Sequence, residues 1–210
     1  MGGIQERFSC LRGESLKQSM IGSTRKTVYY NSKFFVIEKN HDDFELSHTY
    51  GVEVRRQPTL LSNSALSVLR DNPHPAIPFV YDCDDKFAVF EFVDGQVAFA
   101  DSVDLPTDVP YVPNLRQLNA PSICDIADIG TRYAWLDSIK RAIDHLHSLG
   151  IAHTDIVPIN ILVNPTTKVV KIVDLFSCVT VNSQSHLYSL DWNCFYKYVI
   201  PYFITGHYNE

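Results

Sequence analysis

The sequence lacks any apolar run long enough to cross a bilayer, so no membrane-spanning helix is expected. It also lacks a basic excess. The formal net charge is -6, whereas a surface that tracks nucleic-acid phosphates should be basic, so nucleic acid is not expected as the main partner. Cysteines at metal-ligand spacing are missing too. Cys10, Cys83, Cys124, Cys178 and Cys194 are scattered, odd in number and never in C-x-x-C spacing. That pattern fits a reducing compartment and neither a zinc site nor a disulfide framework. The start, Met1-Gly2-Gly3-Ile4-Gln5-Glu6, has the glycine of a myristoylation site but Glu6 where Ser or Thr is expected. No apolar signal-peptide core follows. These absences predict an intracellular, cytoplasmic site of action, and they leave open secretion by a route that cleaves no signal. The remainder, 45% hydrophobic and 20% charged over 210 residues, suits a globular chain with one good core or two small lobes sharing a cleft.

The stretch that organises the chain is His153-Thr154-Asp155-Ile156-Val157-Pro158-Ile159-Asn160, followed by Ile161-Leu162-Val163 and then by Lys171-Ile172-Val173-Asp174-Leu175-Phe176. It places one carboxylate on a tight loop, an amide five residues later, and a second carboxylate at the end of an apolar strand. In-line phosphoryl transfer needs such a set: a group to orient or deprotonate the attacking hydroxyl, and two oxygen ligands for magnesium. A helix leads into it. From Tyr133 to Leu149, residues Leu136, Ile139, Ile143, Leu146 and Leu149 form one apolar stripe, Lys140, Arg141 and Asp144 lie elsewhere, and Gly150 is a natural stop.

This H-x-D-x-x-x-x-N stretch with its later K-I-V-D resembles the catalytic loop and metal-binding motif of the protein-kinase superfamily. Thr154 stands for the usual Arg, Val157 for the usual Lys, and Asp174-Leu175-Phe176 for Asp-Phe-Gly. The resemblance spans roughly residues 20–205 and is strong over 139–176. It implies a minimal α+β, bilobal kinase-like fold in one domain: an arm or short helix over 1–18, a β-rich lobe over 19–93, and a mainly helical, truncated C-terminal lobe over 94–210. It also implies ATP and Mg2+ as cofactors, Asp155 as the catalytic residue, and Asn160 and Asp174 as metal ligands.

Other segments resemble the family less closely. Residues 20–30 and 33–39 read as a hairpin about an Asn31-Ser32 turn. Val36-Ile37-Glu38-Lys39 resembles the strand whose Lys reaches the nucleotide phosphates, and Gly22 is what remains of the glycine-rich loop. The acid that should pair with Lys39 is ambiguous. The run from Asp42 to Gln57 contains Gly51 and ends at Pro58, so Glu53 is the candidate and Glu45 the alternative, while the helical run from Thr59 to Leu69 has no acid. Asn72-Pro73-His74-Pro75-Ala76-Ile77 looks like the family's H-P-x-I turn. The strand from Lys86 then leads to a hinge where Phe90 is the gatekeeper and the backbone of Glu91 to Val93 would bond adenine.

Residues 100–132 are rich in Asp and Pro and without periodicity, a lid near the cleft or a poorly ordered insert. From Leu187 an apolar helix should end near Ile200, before Pro201. On it Asp191 is either the buried acid that holds the catalytic-loop backbone or an ordinary acid of a helix N-terminus. His153 is the loop's supporting residue. The chain is short for a protein kinase, and the resemblance implies a large lobe without its usual later helices.

Three functions follow from the resemblance. One is a Ser/Thr protein kinase acting as a monomer on a protein substrate, similar in size to compact effector kinases that some bacteria inject into host cells, with the heat-shock-protein-90 chaperone as one conceivable host target. The others are a small-molecule phosphotransferase and a pseudokinase binding module. With Thr154 in place of the Arg that reads a phosphorylated loop, activation by loop phosphorylation is not expected.

Overall fold

The structure, a computed structural model, describes residues 2–21, 26–38, 46–49, 52–55, 60–98 and 122–207. The N-terminal segment forms α1 (Gly2–Arg7) and a 3₁₀ turn over Ser9–Leu11. It is a packed element and not the loose arm that was the other expectation. Ile4, Phe8 and Leu11 share one face at helical spacing and close over Phe34, Val36, Phe87 and Val89, forming a second core cluster on the outer face of the sheet. Arg7 fastens this cap by a two-nitrogen contact with Asp84, at 2.7 Å from Nη2 and 3.0 Å from Nε.

Burial raises the Asp84 acid, but hydrogen bonds from the Phe87 N–H, the Arg7 guanidinium and the Lys86 N–H outweigh it and hold the group below its ordinary 3.8. A carboxylate with a depressed folded value stabilises above its unfolded value and loses that contribution as pH falls through the folded one. Arg7→Ala is therefore expected to cost about 0.5–1 kcal/mol near neutral pH, as a half-exposed pair should. Urea denaturation should show the difference fading below pH 3.8.

Among the described residues five strands precede the first long helix: β1 (Lys17–Ile21), β2 (Lys26–Tyr30), β3 (Phe34–Glu38), β4 (Leu46–Thr49) and β5 (Val52–Arg55). The expected hairpin is β2 with β3, in register Val28↔Ile37 and Tyr30↔Phe35. Its turn is held by the Asn31 side-chain oxygen, which accepts from the N–H groups of Lys33 and Phe34 at 2.8 Å each. After α2 (Leu60–Asp71) come β6 (Val80–Cys83) and β7 (Phe87–Glu91), completing an antiparallel sheet of order β1-β2-β3-β7-β6. β7 is buried on both faces: Phe87 and Val89 point to the N-terminal cap, Ala88 and Phe90 to the main core.

The remaining elements are β8 (Gln96–Val97), α3 (Ile123–Ile126), α4 (Ile129–Ser148), β9 (Ile151–Ala152), β10 (Ile161–Asn164), β11 (Val169–Ile172), β12 (Val179–Thr180), α5 (His186–Cys194), a π-helical turn over Phe195–Val199 and α6 (Ile200–Thr205). Sheet and helices together give the α+β, kinase-like arrangement that the resemblance implies. One hydrophobic cluster runs from Val28, Leu66 and Phe90 through Ile139, Ile143 and Leu146 to Phe203. Each fully buried aliphatic of that set is worth about 1.5–3 kcal/mol of transfer free energy.

Three boundaries differ from expectation. α4 begins at Ile129 and not at Tyr133, because Asp128 caps it, accepting from Thr131 N–H at 2.9 Å and Thr131 Oγ1 at 2.6 Å. Its end is as read, with Gly150 in the left-handed region at φ 73°. The end of the irregular 100–132 stretch is helical: Ser122 and Asp125 form a capping box for α3, while 99–121 lie outside the described residues. Finally, Pro201 does not stop the last helix. It sits in the first turn of α6, where a missing N–H costs nothing, after the π turn has reset the bonding pattern.

Candidate active site

The loop that carries Asp155 begins with a strained residue. Thr154 has φ 67°, which a β-branched side chain rarely adopts. Strain of this kind costs on the order of 1–3 kcal/mol and persists only where neighbours over-determine it. Here the neighbour is Asp191 on α5, fully buried. Its carboxylate accepts from the His153 N–H at 2.9 Å, the Thr154 N–H at 2.7 Å and His147 Nε2 at 2.9 Å. Thr154 Oγ1 donates to Ser177 O at 2.9 Å, so the short side chain is satisfied inward. His153, also fully buried, bonds Val173 O through Nε2 at 3.0 Å, and its Nδ1 has no partner among the described residues. The loop is thereby tied both to α5 and to the segment that carries Asp174.

Asn160 closes the loop. Its Nδ2 donates to Asp155 Oδ2 at 2.8 Å and to Asp155 O at 3.1 Å. Asn160 O accepts from the Val173 N–H at 2.8 Å, which brings the Asp174 segment alongside. Asp174 is left-handed, at φ 60° and ψ 49°, a conformation that Asp tolerates better than most residues. The following 3₁₀ turn, Leu175–Ser177, keeps ordinary negative φ, so Phe176 needs none of the freedom of the glycine it replaces. Leu175 enters the main core, and Phe176 packs edge-on against Phe90 with ring centroids 5.7 Å apart. Val157, in the usual lysine position, is buried.

Asp155, Asn160 and Asp174 thus share one hydrogen-bonded unit. The amide of Asn160 spends its N–H groups on Asp155, and its Oδ1 carries no hydrogen bond among the described residues. Two carboxylates and a free amide oxygen are hard donors of the kind magnesium takes alongside phosphate oxygens. The residues fit that ion. Beside them Val93, Leu162 and Val173 make a small apolar cluster apart from the main core. The Val93 N–H donates to nothing among the described residues, whereas the N–H groups of Glu91 and Phe92 are used by Phe79 O at 2.8 Å and Lys33 O at 2.9 Å. An apolar cluster beside one open hinge donor suits a nucleotide base.

Gly22, Lys39 and Glu45 lie outside the described residues. Glu53 is on β5, opposite His48 in register, and not on a helix. The helix that does flank the site, α2, has no acid from Leu60 to Arg70. Sequence reasoning missed His147, Leu162 and Val173. The last two were within reach, since Leu162 lies on β10, just after Asn160, and Val173 follows β11, just before Asp174.

Cys194 lies below the loop, fully enclosed. Burial, then Asp191, then Asp155 push its thiol up to about 12. A raised value stabilises fully below the unfolded 9.0 and is lost as pH rises toward the folded one. The stability advantage of wild type over Cys194→Ala, read by urea unfolding, is therefore expected to shrink between pH 9.0 and about 12.

A family model described as the protein kinase domain matches residues 117–208, the part that holds this loop. Over that stretch the chain is similar to the protein kinase domain, and its fold is kinase-like. Among solved structures the chain is similar in fold to the Cydia pomonella granulovirus kinase PK-1, with a TM-score of 0.58 at 12% identity. The match covers 92% of this chain and 69% of that one. The curated proteins contain no sequence match. The N-terminal lobe, outside the family model, is like a kinase lobe in its fold, at a level of identity that leaves few shared residues. The protein kinase domain match suggests phosphotransferase chemistry, for which kinases typically use ATP and Mg2+. No described helix is long and apolar enough to cross a membrane.

Proposed function

We propose that the chain transfers the γ-phosphoryl group of ATP to a Ser or Thr hydroxyl of a protein. The observation that carries this reading is the Asn160 clamp on Asp155 at 2.8 Å, which fixes the orientation of that carboxylate within the loop. Asp155, half-buried at the mouth of the loop, orients the acceptor hydroxyl and takes its proton as the oxygen bonds to the γ-phosphorus and the bond to the departing ADP breaks. Asn160 Oδ1 and Asp174 are the groups that would hold magnesium. When bound, the ion neutralises phosphate charge. The Val93 N–H and the cluster of Val93, Leu162 and Val173 receive the adenine. Lys39 is assigned to the phosphates, and Gly22 to the loop that covers them. A protein acceptor is favoured because the family model that matches residues 117–208 is that of the protein kinase domain.

Incubation with labelled ATP, magnesium and a cell lysate tests the reading. Labelled protein bands containing phosphoserine or phosphothreonine are expected. Label in small metabolites alone would make the chain a small-molecule phosphotransferase, and nucleotide binding with no labelled product would make it a binding module.

A further inference from the structure

Glu91 stands where β7 becomes the hinge, and its side chain points away from the apolar cluster assigned to adenine into the contact between the lobes. Its Oε2 accepts from Lys171 Nζ at 2.7 Å and from the Phe79 N–H at 3.0 Å, while its own N–H donates to Phe79 O at 2.8 Å. Lys171 belongs to β11, the strand that ends just before Asp174. Its Nζ also reaches Ile77 O at 3.3 Å, and the next residue, Ile172, donates its N–H to Ala76 O at 2.9 Å. The Lys171 side chain is 11% exposed and that of Glu91 33%. One ammonium therefore joins the hinge, the turn before β6 and the strand that delivers Asp174.

Stability alone does not account for charges in this position. Replacing a buried ion pair by apolar side chains of similar size is often neutral or stabilising, because the charges must first be desolvated. What charges add is direction. An ammonium with two fixed acceptors holds a separation that an apolar contact leaves slack. The separation held here runs from Glu91, two residues before the open Val93 N–H, to Lys171, three residues before Asp174.

We propose that Glu91 and Lys171 form a positioning clamp that couples the adenine edge of the cleft to the metal carboxylate Asp174, so that base and metal-bound phosphates are held cooperatively. This rests on the reading of the cleft as a nucleotide site. Neither side chain touches the reacting atoms. The clamp acts through Val93 on one side and Asp174 on the other.

The test compares wild type with Glu91→Met/Lys171→Met, which keeps unbranched stems in place of the pair. Affinities are measured by calorimetry for adenosine alone and for ATP with saturating magnesium or with chelator. Apo unfolding temperature is expected to stay near wild type. Adenosine affinity should change by less than about twofold, while the gain in ATP affinity that magnesium confers should fall about tenfold, within the usual range of coupling between sites. An undiminished magnesium gain in a folded double variant overturns the clamp, and so does a parallel loss of adenosine and ATP binding, which would leave the pair holding only the hinge. If the double variant does not fold, Glu91→Gln, which keeps an acceptor for Lys171 and the Phe79 N–H but removes the charge, should lower the same gain about threefold; no change overturns the proposal. Wild type that binds neither adenosine nor magnesium–ATP sinks the nucleotide-site reading, and the clamp with it. Wild type that binds both, with no change in the variants, sinks the clamp alone.

Discussion

Asp155→Asn is expected to lose phosphoryl transfer by about two or more orders of magnitude, since positioned acid–base groups contribute ~10²–10⁴-fold, while magnesium–ATP binding stays close to wild type. The loop geometry explains why the two should separate. Asn160 Nδ2 holds the backbone oxygen of residue 155 at 3.1 Å as well as the side chain at 2.8 Å. An amide at 155 still offers an oxygen to that donor. The loop therefore keeps its shape, and only the ability to take the acceptor's proton is lost. Asp174→Ala should behave differently, losing magnesium-dependent binding and transfer together, because its carboxylate is assigned to the metal itself. Titrating ATP with and without magnesium and then measuring transfer on each variant separates the roles. Equal transfer by Asp155→Asn and wild type would remove Asp155 from catalysis.

The second large effect concerns a residue that touches no reactant. Asp191→Ala should destabilise the fold by about 3 kcal/mol or more. Two buried donors, the N–H groups of His153 and Thr154, and the partly buried His147 Nε2 lose their acceptor at once, and each unsatisfied buried donor costs about 1–3 kcal/mol. The Thr154 backbone is then free to leave its left-handed conformation, which moves Asp155. Transfer should fall further than the fraction unfolded accounts for. Asp191→Asn should be intermediate, since its remaining carbonyl oxygen can still accept from one or two of the three donors. Urea unfolding gives the stability change, and activity per folded molecule gives the positioning effect. A variant of Asp191 with wild-type activity per folded molecule would reduce the residue to a structural acid.

The site is asymmetric in how it is built. Asp155 and Asn160 are bonded to each other, and their partner segment is reached only through backbone: Val173 N–H to Asn160 O, and His153 to Val173 O. Such a design fixes the relative place of three groups mainly through backbone hydrogen bonds. α2 supplies no acid to this region from Leu60 to Arg70, and packs instead on β6 and β12, with Ser64 Oγ 3.1 Å from Thr180 Oγ1.

The sequence by itself determined those parts whose physics is local. The apolar stripe of α4 and its stop at Gly150 follow from helical period and from the one residue that enters the left-handed region without cost. The Asn31 turn follows from a short side chain that bonds its own backbone. The order of Asp155, Asn160 and Asp174 is read directly from the chain, and it is the order of the kinase-like motif. Tertiary structure decided the rest, because the deciding contacts join residues far apart in the chain. Lys171 is an unremarkable strand lysine until sheet register sets it against Glu91, eighty residues earlier. Ile4, Phe8 and Leu11 look like part of a polar arm until β3 and β7 present an outer apolar face to cover. Asp191 could have been any acid near a helix start, and it became the anchor of the loop only when α5 packed beneath β9 and turned its carboxylate to two backbone N–H groups that no local pattern could have put there.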